Sequence, residues 1–305
     1  MTLVATISPR EKLAANASLA ISAMVWATMF PATEFLLTTW DPFVLTALRL
    51  GLGGLILLVV LWLREPATLM PGTLPWRDLW LLGGLGIGLG TSLLAIGIMY
   101  SGAVLASIIA ASSPIIATFM ARFLYGIPVG RPVVAGAVVA VAGGVTAAIA
   151  GADGVVEVKG GEVLVFASMV LWVWYSQSAQ RRLAGLSQVA IASLTLLTGS
   201  ASLALALPLL MALGLSSPLI DTTPSTLLLI LYIAAGPASF SITCWHYGVS
   251  RMGVAIASIY GNMVPVVVVV IAMIGGRPPR VAHLVGGALI IAGVLYAQLG
   301  RDRTS

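Results

Sequence analysis

The chain has 305 residues, of which 59% are hydrophobic and only 8% are charged, and its formal net charge is +5 at pH 7. Because soluble domains carry about 25% charged residues, this composition excludes a soluble protein and predicts an all-α integral membrane protein. One cysteine excludes an internal disulfide, and with only two histidines we expect no metal site and no cofactor.

The apolar runs predict ten transmembrane helices, because each run has about the 20 residues that are needed to cross a bilayer. A polar joint after the fifth helix divides the chain into a first five-helix half (1–151), the joint itself (152–161, expected outside the cytoplasm) and a second five-helix half (162–305). The approximate spans are 14–37, 42–63, 77–99, 102–125, 132–151, 162–181, 188–213, 225–248, 252–275 and 281–300.

A repeated stretch supports this division into halves. The segment from Gly97 to Pro114 matches the segment from Gly248 to Pro265 at a fixed offset of 151 residues. A repeat of this length indicates that a unit of about 150 residues has been duplicated.

The basic residues predict the orientation, because Lys and Arg are enriched in cytoplasmic loops. With the N-terminus inside, only Lys159, Arg277 and Arg280 fall outside, Arg49 lies within a span, and the other eleven of the 15 Lys and Arg fall inside. Both termini are therefore predicted to be cytoplasmic. Since five is odd, the second half enters the membrane in the opposite sense, which predicts inverted repeats around a midplane substrate site, as in many secondary transporters.

Several motifs resemble those of the drug/metabolite transporter superfamily, and especially its ten-helix EamA-type bacterial branch. The motifs are Trp26 with Phe30-Pro31, Asp41-Pro42-Phe43 with Ala47-Leu48-Arg49, and Ser101-Gly102-Ala103 through Ser113-Pro114. The resemblance implies a central cavity lined mainly by the first, third, fourth, sixth, eighth and ninth helices. Within the branch the chain looks most like amino acid exporters, the aromatic amino acid exporter in particular.

One family motif is missing from both halves. Where the family usually has glycine-glutamate-arginine after the fourth span, this chain reads Gly126-Ile127-Pro128 and Gly275-Gly276-Arg277. No role for that glutamate is therefore carried over.

The candidate substrate-binding residues lie towards the middle of their spans. Trp26 and Trp172 are some 17 Å deep at about 1.5 Å per residue, where their rings either form an apolar or cation–π wall or simply fill space. The amide of Asn262 needs a polar partner at such depth, which is either the substrate or another helix. The full set is Trp26, Ser92, Ser107, Trp172, Tyr175, Ser241, Ser258 and Asn262.

Two prolines and two charged residues are further candidates. Pro114 and Pro265 occupy equivalent mid-span places, so each is either a fixed kink or a hinge beside the cavity. Glu34 and Arg49 are the charges clearly inside spans, where ionisable groups are functional candidates by default. We expect them to pair with each other or Arg49 to snorkel outward; if a pair opens, Glu34 could carry a coupling proton.

These features predict a secondary transporter of the bacterial inner membrane that exports small zwitterionic metabolites by alternating access. Amino acids, including aromatic ones, are the expected substrates, because few fixed charges lie within the spans. The alternative is export of drugs or hydrophobic cations by proton antiport. The sequence contains no cluster of catalytic residues, so we do not expect an enzyme. The expected partners are the amino acid substrate and the lipid bilayer, without nucleic acid, and the expected assembly is a monomer.

Overall fold

The computed structural model describes residues 8–69, 72, 74–151, 160–217, 219–274 and 281–302, and within them the regular structure is entirely helical. The α-helices are α1 (Pro9–Ala27), α2 (Met29–Leu36), α3 (Pro42–Arg64), α4 (Trp76–Leu81), α5 (Gly90–Ala110), α6 (Ser113–Phe123), α7 (Arg131–Gly151), α8 (Glu162–Arg182), α9 (Gln188–Ala212), α10 (Pro224–Ile233), α11 (Ile242–Met252), α12 (Val254–Ala257), α13 (Met263–Ile274) and α14 (Val281–Asp302). Two π-helical segments (Leu82–Leu89, Ala234–Ser241) and two 3-10 segments (Pro66–Leu69, Ser258–Asn262) lie between them.

Local chemistry explains where the long helix α3 begins. The Asp41 carboxylate accepts hydrogen bonds from the backbone N–H groups of Phe43 and Val44, and these donors have no partner within the helix. Its second oxygen accepts from the Ser216 hydroxyl and the Ser217 N–H. Asp41 therefore caps α3 and also fixes the segment that follows α9.

Length and composition support a membrane protein. Six helical stretches of the described chain are long and apolar enough to cross a bilayer: Pro9–Leu36, Pro42–Arg64, Trp76–Ala110, Gln188–Ala212, Pro224–Met252 and Val254–Ile271. Large apolar side chains such as Phe119, Leu205 and Leu228 are more than half exposed, which suits contact with lipid. Helices occupy all ten predicted positions, and that all ten cross the membrane stays a prediction. Most of the joint (152–159), the residues Lys159, Arg277 and Arg280, and the segment 275–280 lie outside the described residues.

The main helix contacts join the first half to the second. Helix α7 packs on α14, α3 on α9, α5 on α8, and α1 on α11. Exchanging the two halves maps this set of pairs onto itself, as a two-fold related duplication requires. The contact between α7 and α14 is backbone to backbone, because a Cβ added to Gly136 or Gly293 would lie 2.5 Å from the carbonyl oxygen of the other.

The helices are interrupted at equivalent places in the two halves. Gly102 has φ 78° and ψ 163°, and Gly253, 151 residues later, has φ 79° and ψ 155°. This region of backbone space is essentially restricted to glycine. The two π-helical segments precede these glycines at corresponding distances. The offset found in the sequence therefore also relates the irregular backbone.

The two prolines lie differently from the prediction. The sequence suggested that each proline interrupts a continuous helix, but Pro114 is in the first turn of α6 and Pro265 is the third residue of α13. A first-turn N–H has no intrahelical partner, so proline costs no hydrogen bond there. The interruptions precede the prolines, at residues 111–112 and in the 3-10 segment Ser258–Asn262. Whether the prolines act as hinges stays a prediction.

Candidate functional site

A cavity with an empty volume of about 670 Å³, which includes space open to solvent, lies between the two halves. The lining residues are Ser22, Ala23, Trp26, Arg49, Leu50, Ile87, Thr91, Ser113, Met169, Trp172, Leu196, Pro237, Ala238, Ser241, Ile242, Trp245 and Gly261. The six helices implied by the family resemblance all contribute, and so do the second span through Arg49 and the seventh through Leu196.

Irregular backbone borders this cavity. Ile87 belongs to the first π-helical segment, Pro237 and Ser241 belong to the second, and Gly261 belongs to the 3-10 segment. Wider and broken helical turns leave backbone groups without intrahelical partners, and such turns are tolerated in membrane proteins where they line a cavity. The fold therefore places its irregular segments where a ligand could use them.

Stacked tryptophans form an aromatic wall. Trp26 of α1 and Trp172 of α8 have ring centroids 6.1 Å apart and nearly parallel planes, at 11°. Trp245 of α11 extends the wall at 5.7 Å from Trp172, and its indole N–H donates to the Ser176 hydroxyl. The rings of Trp26 and Trp172 were predicted as candidates from the sequence, whereas Trp245 was missed. It lies four residues after the candidate Ser241, on the same helical face, and that spacing was the available signal.

A pair of serines joins α1 to the second π-helical segment beside this wall. The Ser22 hydroxyl donates to the Ser241 carbonyl at 2.8 Å, and the Ser241 hydroxyl donates to the Ser22 carbonyl at 2.9 Å. Both serines line the cavity. Ser241 was predicted from the sequence; Ser22 was not, although it lies one turn before Trp26.

Arg49 and Glu34 do not form the predicted ion pair in the described structure. Arg49 is 5% exposed and lines the cavity, and its Nη1 donates to the Met29 sulfur. Glu34 is exposed, and its Oε1 lies close to Gly102, outside the cavity lining. From the sequence, both residues were predicted to lie at a comparable depth, but their two side chains face different surroundings. Arg49 is buried, so it also does not snorkel outward to the surface.

The other candidate residues lie outside the cavity lining. The buried hydroxyls of Ser92, Ser107 and Ser258 donate to backbone carbonyls three or four residues earlier, at Gly88, Val104 and Ala255. Such backbone bonds satisfy a hydroxyl without any ligand.

Tyr175 and Asn262 are also buried outside the cavity lining. The Tyr175 hydroxyl contacts the Thr195 hydroxyl at 2.8 Å and His246 Nε2 at 2.9 Å. Asn262 Nδ2 donates to the Ile259 carbonyl, while its Oδ1 is buried without a hydrogen-bond partner among the described atoms. The Tyr175 side chain also lies against Gly86, so it packs between the two halves.

Comparisons with known proteins identify a family and several transporter relatives. The model of the EamA-like transporter family matches residues 14–148 and, a second time, residues 159–298. A relative in Streptantibioticus cattleyicolor, named "Probable terminal-alkyne amino-acid exporter", is 29% identical over 299 residues, covering 94% of this chain and 95% of its own. The "Uncharacterized transporter YyaM" of Bacillus subtilis is 23% identical over 276 residues, covering 88% of each chain.

A solved crystal structure shares the fold. It superposes with a TM-score of 0.78 at 24% sequence identity, covering 95% of this chain and 99% of that chain. The double family match confirms the duplication and the EamA-type resemblance, whereas the finer resemblance to the aromatic amino acid exporter stays a prediction. The chain belongs to the EamA-like transporter family and is a multi-pass membrane transporter, not an enzyme.

Proposed function

We propose that this transporter exports amino acids, including aromatic ones, across the bacterial inner membrane, with both termini in the cytoplasm. The observation that carries the proposal is the cavity itself, which both halves line and which combines an aromatic wall, four hydroxyl-bearing side chains and one fixed charge among its described lining residues. A net-neutral zwitterion suits such a lining, because each of its charged groups needs a polar partner while its side chain packs on apolar surface.

Alternating access is the proposed mechanism, with the two halves as inverted repeats. In transporters of this architecture the substrate site lies between repeats that rock or gate against each other. The matching interruptions at Gly102 and Gly253 support the proposal, because they give each half a break at an equivalent place. Exchange through such a carrier requires no ion gradient, and we propose facilitated diffusion.

Similarity to a named relative also supports the substrate class. The relative from Streptantibioticus cattleyicolor carries amino-acid export in its name and aligns along nearly the whole of both chains. Trp26 and Trp172 support aromatic amino acids among the substrates, because two stacked rings offer a flat apolar surface to an aromatic side chain.

Export of hydrophobic cations by proton antiport is less well supported. Among the described lining residues the only charged side chain is the cation Arg49, which repels a cationic substrate. The carboxylate of Glu34, the predicted proton carrier, is exposed and outside the lining.

Counterflow in proteoliposomes tests the proposal. Vesicles preloaded with unlabelled phenylalanine should accumulate labelled phenylalanine, and a pH gradient should leave the rate unchanged. Trp172→Ala should lower the exchange at least tenfold, because a lost aromatic contact is worth about 1.5 kcal/mol or more. Trp62→Ala is the matched control, since Trp62 is 63% exposed at the end of α3 and outside the cavity. Exchange of no amino acid above protein-free vesicles would overturn the proposal.

A further inference from the structure

The Arg49 guanidinium has a surplus of hydrogen-bond donors in the wall of the cavity. An arginine carries five N–H donors, and the partner observed for Arg49 is the neutral sulfur of Met29, a weak acceptor. Within the described residues no carboxylate lies within 4.0 Å of it. A buried cation without a counter-charge is costly in a membrane protein, and such residues mark ligand pathways.

The position of Arg49 suits a ligand contact. It is the eighth residue of α3, about 10 Å along the helix axis from the helix start at 1.5 Å per residue. Its side chain is buried against protein, yet it is part of the cavity lining together with Trp26 and Trp172. A ligand in the cavity can therefore meet the cation and the aromatic wall at once.

We propose that Arg49 binds the carboxylate of the transported amino acid and supplies the specificity for α-carboxylates. The planar guanidinium fork matches a carboxylate in bidentate geometry, which a lysine ammonium cannot reproduce. The bound carboxylate would provide the counter-charge that the described protein lacks, and the amino acid side chain would pack on the tryptophans. This inference rests on the proposed function for the identity of the ligand, but it concerns binding and can be measured without transport.

The test compares phenylalanine with two analogues that lack its carboxylate, and with chloride as a simple anion. Purified protein is titrated with phenylalanine, phenylalaninamide, 2-phenylethylamine and sodium chloride, and the rise of the thermal unfolding midpoint gives the half-saturating concentration of each. We expect phenylalanine to bind at least tenfold more tightly than the amide or the amine, because hydrogen bonds to a charged group are worth about this factor. Chloride should give no comparable protection, which separates a carboxylate site from a general anion site.

Variants then assign the preference to one residue. Arg49→Gln should abolish the preference for phenylalanine over its amide, and Arg49→Lys should retain only part of it. Arg64→Gln is the matched control, because Arg64 ends the same helix on the exposed surface. Without ligand, Arg49→Gln should be at least as stable as the wild type, since it removes an uncompensated buried charge.

The results that would overturn the role of Arg49 differ from those that would overturn the proposed transport. Equal binding of acid and amide by the wild type, binding of neither, protection by chloride equal to that by phenylalanine, or an intact preference in Arg49→Gln would each overturn the inference. If Arg49→Gln is recovered too poorly to measure, the wild-type ligand series and Arg49→Lys decide. Carboxylate-selective binding without vesicle exchange would overturn the proposed transport and leave the role of Arg49 standing.

Discussion

Replacing Gly253 by alanine isolates the energetic cost of the interrupted helix. Gly253 links α11 to α12 with φ 79° and ψ 155°, a conformation that side-chain-bearing residues essentially avoid. Among the described residues, a Cβ added there would meet nothing within 4 Å, so the substitution brings no clash with these neighbours. Its effect should therefore come from backbone strain alone.

The expected magnitude follows from this conformation. A residue held in such a region costs about 1–3 kcal/mol. At about 2–4 °C per kcal/mol, the value for chains of 150–250 residues, Gly253→Ala should lower the thermal unfolding midpoint by roughly 2–12 °C. Gly102→Ala should cost a similar amount, because its φ and ψ match those of Gly253. The described atom near its added Cβ, Glu34 Oε1, ends a flexible exposed side chain that can move aside.

The midpoint can be followed by intrinsic fluorescence of the purified protein. Gly185→Ala is the control, because a Cβ at Gly185 also meets no described atom within 4 Å and its φ lies outside the strained range. A Gly253→Ala protein as stable as Gly185→Ala would refute the reasoning, since it would show that the chain does not need this conformation.

Two buried polar contacts give further predictions. Tyr175→Phe should lower the free energy of unfolding by about 1–3 kcal/mol, because it leaves His246 Nε2 buried without its 2.9 Å partner. Tyr100→Phe, at an exposed tyrosine, is the control and should be neutral in the same thermal assay. Equal unfolding midpoints for the two variants would contradict the contact between Tyr175 and His246. Ser22→Ala and Ser241→Ala should each destabilise by about 1 kcal/mol. The double variant should lose less than the sum, because the two hydroxyl oxygens also contact each other at 3.1 Å; strict additivity would argue against a coupled pair.

The repeat was the most informative feature of the sequence. The offset of 151 residues predicted a duplication, and the family model matches the chain twice. The same offset relates Gly102 and Gly253 in backbone conformation. Glycine is needed at both places, so the constraint is visible in the sequence itself.

Depth within a span could be read from the sequence, but side-chain direction could not. Trp26 and Trp172 were selected by depth, and the structure brings them into contact. Glu34 and Arg49 were paired by the same criterion, and their side chains lie in different surroundings. A depth is a count along one helix, whereas a contact also depends on the rotation and packing of both helices.

Irregular backbone explains most of the remaining differences. The π-helical segment Ala234–Ser241 carries Ser241 into the cavity wall, and no residue pattern in that stretch indicates a π-helix. The interruption at 111–112 places Pro114 at a helix start, where a regular helical reading had put it in the middle. Such segments are set by tertiary packing, and simple helical periodicity does not describe them.

Locating a bound amino acid would test the central claim most directly. Crystals of the protein grown with 4-bromophenylalanine can be measured at the bromine absorption edge, so that the anomalous signal marks the ligand ring. We expect one bromine peak in the cavity beside Trp26 and Trp172, with density for the carboxylate at Arg49. A bromine peak confined to another part of the protein, or an empty cavity at saturating ligand, would contradict the claim that amino acids bind between the two halves.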